Sequence, residues 1–78
     1  MSQSTGKVAQ IIGPVVDVAF DSGTELPKIY DSLEVNNNGN LLVLEVQSHI
    51  GESMVRTISM DSTDGLSRGV DAVATGAP

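Results

Sequence analysis

A side chain that does chemistry needs partners at a fixed spacing, and few residues of this 78-residue chain have them. Gly6-Lys7 carries the Gly-Lys pair of a phosphate-cradling loop, which also needs a glycine-rich turn before the Lys and a Ser or Thr after it. Met1 stands at the first position of that pattern and Val8 at the last, so both ends fail and Lys7 reads as a strand residue. Asp61, Asp64 and Gly65 suggest a calcium loop, which requires oxygen donors at alternate positions and a Glu at a set distance. Thr63 and Leu66 break that pattern, leaving a turn. His49 is the single histidine and cysteine is absent, so neither a His pair nor a thiolate metal site can form within the chain. Residues 36–40 contain no Asn-x-Ser/Thr acceptor. No catalytic, cofactor-binding or metal-ligating residue is assigned.

Two arginines stand out by context. Arg56 sits inside Val55-Arg56-Thr57-Ile58, where a charge must face water or be paired. It is either an outward residue on a sheet wall or one half of a salt bridge to a neighbouring subunit. Arg68, between turns marked by Gly65 and Gly69, is either plainly exposed or an interface contact. His49, following a strand, is read as a surface or hydrogen-bonded residue.

The elements that must hold these residues are short strands. Lys7 to Ile12 and Val15 to Phe20 alternate at period two and are broken by Gly13-Pro14. Val16, Val18 and Phe20 then share an inward face, and Asp17 marks the wetter one with Val15 and Ala19. Residues 21–31 form a turn-rich loop in which Pro27 disfavours helix at Leu26. The Ser22-to-Glu25 capping-box spacing is coincidental, because no amphipathic run follows it. Ser32 to Val35 and Leu41 to Ser48 flank Asn36-Asn37-Asn38-Gly39-Asn40 and make a hairpin, since Asn-Gly tolerates the positive φ of a tight turn. Leu42, Leu44 and Val46 take one face of its second arm; Leu41, Val43, Glu45 and Gln47 take the other. Met54 to Met60 is a further strand and Val70 to Thr75 a last, weaker one. Short strands with glycine-containing turns and no helical period predict an all-β chain, a small closed or nearly closed β-barrel. Closure would also remove edges prone to aggregation.

Composition sets the limits. The length suits one domain, with stability of about 4–12 kcal/mol at roughly 0.05–0.15 per residue. An apolar content of 40% is globular, and Phe20 and Tyr30 are the only aromatics, so the core must be aliphatic. No apolar run nears the ~20 residues that span a bilayer, and the polar start lacks a signal region. With no cysteine to form bridges, an intracellular, soluble and unprocessed chain is expected. Residues 1–5 are expected to fray and order to begin near Gly6, giving a tail over 1–5 and a barrel over 6–78. A net charge of −6, with the acids dispersed, opposes nucleic-acid or anionic-lipid binding and reads as a solvated surface.

Ile12-Gly13-Pro14-Val15-Val16-Asp17-Val18-Ala19-Phe20 and Val55-Arg56-Thr57-Ile58-Ser59-Met60, followed by Thr63-Asp64-Gly65-Leu66 and Arg68-Gly69, resemble the amino-terminal domain of F-type ATP synthase beta subunits. Gly6-Lys7-Val8 and Leu44-Glu45-Val46 with His49 and Gly51 are similar as well, so the likeness runs from Gly6 to Pro78. Alpha subunits and the archaeal and vacuolar relatives share the barrel but read differently here. One departure is Ala74, where many beta subunits carry Asp; the Asn-rich tip is a region of varying length.

The resemblance implies a six-stranded barrel that joins alternating alpha and beta barrels into a crown above the catalytic head of the rotary, proton-translocating ATPase. It implies alpha subunits as partners, with the interface candidates Glu45, Arg56, Asp64 and Arg68 on outward strands and turns. The phosphate loop, catalytic glutamate and adenine pocket of that family follow the segment matched here, so magnesium-ATP or ADP belongs to the parent enzyme and no cofactor to this chain. The implied location is a peripheral complex on the cytoplasmic side of a bacterial inner membrane, or the equivalent organelle compartment. A free-standing binding barrel of the oligonucleotide-binding kind would want more basic and aromatic residues. A biotin or lipoate carrier would want its lysine at a hairpin tip, whereas Lys28 lies in a loop.

Overall fold

The computed structural model describes residues 4–78. Six strands, β1 (Thr5–Ile12), β2 (Val15–Ala19), β3 (Ser32–Asn37), β4 (Asn40–Ile50), β5 (Met54–Ser59) and β6 (Asp71–Ala74), close into a barrel in the order β1-β2-β5-β4-β3-β6. Every ladder is antiparallel. There is no helix among the described residues, and so none long and apolar enough to cross a membrane.

Alternation places the core. Val16, Val18, Leu33, Val35, Leu44, Val46 and Val55 are sealed from solvent, with Phe20 as the sole buried aromatic. The interior is aliphatic because it is narrow: a small barrel is filled by side chains from the opposing walls. Thr57 also points inward, and its hydroxyl donates to the Val16 carbonyl at 2.7 Å; among the described residues no buried side-chain polar atom is left unpaired.

Two bulges bend the sheet into closure. One lies in β1 between Val8 and Gln10, the other in β4 between Val46 and Ser48. An extra residue reverses the alternation and tightens the twist. Beyond Ala9 the outward residues are therefore Gln10 and Ile12. Beyond Gln47, Ser48 stands opposite Arg56 and His49 opposite the inward Val55. His49 thus reaches over the barrel's end, where its Nε2 lies 2.7 Å from the Pro27 carbonyl.

The turns separate into two ends. At the tip end, Ile12 pairs with Val15 around Gly13-Pro14, and Asn37 pairs with Asn40 around Asn38 and Gly39, both with positive φ (56° and 91°), the geometry of a twisted two-residue hairpin turn. The 60–70 connection is strapped over this end. Asn37 Nδ2 donates to Asp64 O at 3.0 Å, Asn38 Nδ2 to Gly65 O at 3.3 Å, and Thr63 Oγ1 to Gly13 O at 2.9 Å. The opposite end carries the 21–31 loop, which stays irregular as its Pro and Gly content predicts. Tyr30 N donates to Val46 O and Val46 N to Asp31 O.

The first strand starts earlier than expected. Thr5 already belongs to β1, and the Ser4 carbonyl accepts from Ala74 N at 2.8 Å. Docking on β6 orders this stretch; residues 1–3 of the expected tail lie outside the described residues. The last strand starts at Asp71, while Val70 meets β1 through its carbonyl, which accepts from Val8 N.

Candidate interaction walls

Antiparallel register brings Asp17 of β2 opposite Arg56 of β5, both outward. Arg56 Nε donates to Asp17 Oδ1 at 2.9 Å and Nη2 to Oδ2 at 3.1 Å, a two-pronged contact that fixes the guanidinium plane. The Asp17 side chain is only 4% exposed, against 47% for Arg56. This corrects the expected wet face: Asp17 is on the outer side, yet Arg56 lies across it and shuts out water. It also settles what holds Arg56, whose charge is paired within its own chain. The hydrogen bond to Asp17, and then its negative charge, raise the Arg56 pKa above its ordinary value, partly offset by desolvation.

Apolar residues flank this pair along β2 and β5, while across the ladders its outer neighbours are the polar Gln10 and Ser48. Val15, Ala19, Met54 and Ile58 are half-buried, and Ile12, 60% exposed, stands across from Val15. Glu45 is half-buried opposite Ile58, and its carboxylate accepts from Gln47 Nε2 at 2.9 Å. Of the four interface candidates, Glu45 and Arg56 are therefore neighbours on one side of the barrel. Asp64 and Arg68 are exposed on the 60–70 connection at the tip end and join neither. Asp64 and Asp61 line an open cleft beside Leu41 and Asn37, without a basic residue in its lining.

On the far side, the β3–β6 wall presents exposed Glu34 opposite half-buried Val73. Its neighbouring seam, between β1 and β6, carries a Lys7–Asp71 ion pair. Among the described residues no group of His, Cys, Asp or Glu side chains is arranged to hold a metal. Reading by residue type missed Asp17 as a site residue, because its partner is distant in sequence and only the β2–β5 register joins them.

The class that the fold defines is the small closed six-stranded antiparallel β-barrel. Residues 8–76 match the β-barrel domain of the ATP synthase alpha/beta family, and the chain belongs to that family.

Proposed function

We propose that this chain is the amino-terminal barrel of an F-type ATP synthase beta subunit and that its work is structural, holding alternating alpha and beta subunits in the crown above the catalytic head. The observation that carries the reading is the β2–β5 wall: an apolar surface whose only charges neutralise each other, suited to burial against a neighbour. The beta assignment rests on Val55-Arg56-Thr57-Ile58 and Thr63-Asp64-Gly65-Leu66 in the sequence. In this reading ATP and magnesium bind elsewhere in the parent, and the partners are alpha subunits in a complex peripheral to the membrane.

The test is the intact mass of the native polypeptide that carries this sequence, with identification of what copurifies. A mass several times 8.1 kDa with alpha-type partners supports the reading. A native mass equal to that of this chain sinks it. Calorimetry adds a second check, since micromolar binding of magnesium-ATP to the 78-residue chain would refute a purely structural role.

A further inference from the structure

We infer that Asn38 is a site of spontaneous covalent modification: its carboxamide is set to deamidate through the Gly39 amide, and the folded tip holds that reaction back. This property belongs to the hairpin turn itself and is independent of any neighbour in an assembly.

Asn38-Gly39 is the one Asn-Gly pair in the sequence, and with no Cβ on Gly39 its nitrogen is open to the side chain that precedes it. In the reaction the Gly39 N–H gives up its proton, the nitrogen bonds to Asn38 Cγ, and the Cγ–Nδ2 bond breaks. The proton, passed through solvent, leaves with the departing amide as ammonia. The cyclic imide so formed takes up water at either carbonyl, which yields aspartate or, with the main chain rerouted through the side chain, isoaspartate. Water is the only co-reactant and no electrons change hands. Asn38 and Gly39 are both exposed, so solvent reaches the pair.

The folded turn engages both groups that must meet. The Gly39 N–H donates to Asn36 Oδ1 at 2.7 Å, and an acceptor on that proton stabilises the protonated amide, the form that cannot attack. The Asn38 carboxamide is tied elsewhere, its Nδ2 donating to Gly65 O at 3.3 Å and to Asn37 Oδ1 at 3.4 Å. Asn37 Nδ2 holds Asp64 O in turn, so the 60–70 connection clamps two consecutive side chains of the hairpin. The pairing of Asn37 with Asn40 keeps the central residues in their left-handed geometry. Reaction therefore waits on local opening, which at a loop tip costs less than global unfolding. The product does not refit the place of its parent. A carboxylate at position 38 has no N–H for the Gly65 carbonyl, and isoaspartate adds a main-chain carbon to a turn whose length sets the register of both arms. The change is one-way, and an unmodified Asn38 marks a chain whose tip has stayed closed.

The experiment incubates the 78-residue chain in mildly alkaline buffer, folded or in guanidinium chloride, and follows the exchange of an amide NH2 for OH by peptide mass spectrometry. The mass change separates Asn38 from Asp64-Gly65, which isomerises without one. Modification is expected first at Asn38, and roughly tenfold or more slowly in the folded chain than in denaturant. Asn36→Ala removes the acceptor on the Gly39 amide and is expected to speed the folded reaction several-fold while leaving the denatured rate unchanged. Asn36→Asp keeps an acceptor there and is expected to stay slow, with circular dichroism reporting that each variant is folded. Equal rates with and without denaturant would overturn the inference, as would earlier modification at Asn36, Asn37 or Asn40. So would a folded Asn36→Ala chain that reacts no faster than the unsubstituted one. Should alanine cost the fold, the folded and denatured rates of the unsubstituted chain and of Asn36→Asp still decide the outcome.

Discussion

Among the described residues two ion pairs tie neighbouring strands on the outside of this barrel, and they differ in almost everything but charge. Lys7 and Asp71 bridge β1 and β6 with side chains 65% and 59% exposed, whereas Asp17 is almost wholly covered by the arginine it binds. The first pair competes with water at both partners, and exposed pairs of this kind contribute little. In the second, removing one partner strands a desolvated carboxylate. The register is as well defined at one seam as at the other; what differs is whether water can replace a lost partner.

The largest expected effect is steric rather than electrostatic and arises where β1 packs on β2. Gly6, next to Lys7 and paired with Ala72, has no room for a side chain: a Cβ there would lie 2.7 Å from both the Ala19 carbonyl oxygen and Val18 Cγ1. Gly6→Ala should cost about 2–3 kcal/mol, measurable by urea unfolding, and a neutral result would show that β2 yields easily. Next comes Arg56→Ala, which should lower the unfolding temperature more than Asp17→Ala does. The alanine at 17 frees an arginine that water can solvate, at a cost of about 1 kcal/mol, while the alanine at 56 leaves a buried acid alone. Equal losses would mean that water reaches Asp17 after all. Lys7→Ala should change stability by no more than about 0.5 kcal/mol and less still in high salt.

The smallest effect concerns pH. A guanidinium whose pKa is raised on folding contributes stability that is complete below the unfolded value and lost only as pH climbs through the folded one. Both lie at the alkaline extreme, so Arg56 ionisation should leave unfolding unchanged between neutral and moderately alkaline pH. A titration of stability that follows Arg56 in that range would contradict the observed bridge.

These contrasts also show where the sequence was informative. The inward set Val16, Val18 and Phe20, the hairpin at Asn38-Gly39 and the closed all-β architecture were legible, because alternation and turn chemistry are local. So was the outward direction of Asp17. Its burial was not, since the side chain that covers it is contributed by another strand through a register no local pattern fixes. The bulge at Gln47 was equally silent: Leu42, Leu44 and Val46 give the phase of β4 correctly, but nothing in that alternation announces the residue at which it reverses. Glu45 and Arg56 were singled out together with Asp64 and Arg68, and only the ladders separate the pair on the barrel wall from the pair at the tip.

The β1–β6 seam has a mechanical consequence. It is short, with Thr5, Gly6 and Lys7 opposite Val73, Ala72 and Asp71, and the start of β1 lies beside the end of β6. Because these strands are antiparallel, a force drawing those two ends apart peels the ladder one rung at a time instead of shearing all rungs together. Under such tension the cylinder would open as a bracelet opens at its clasp, with the long β4–β5 and β3–β4 ladders the last to part.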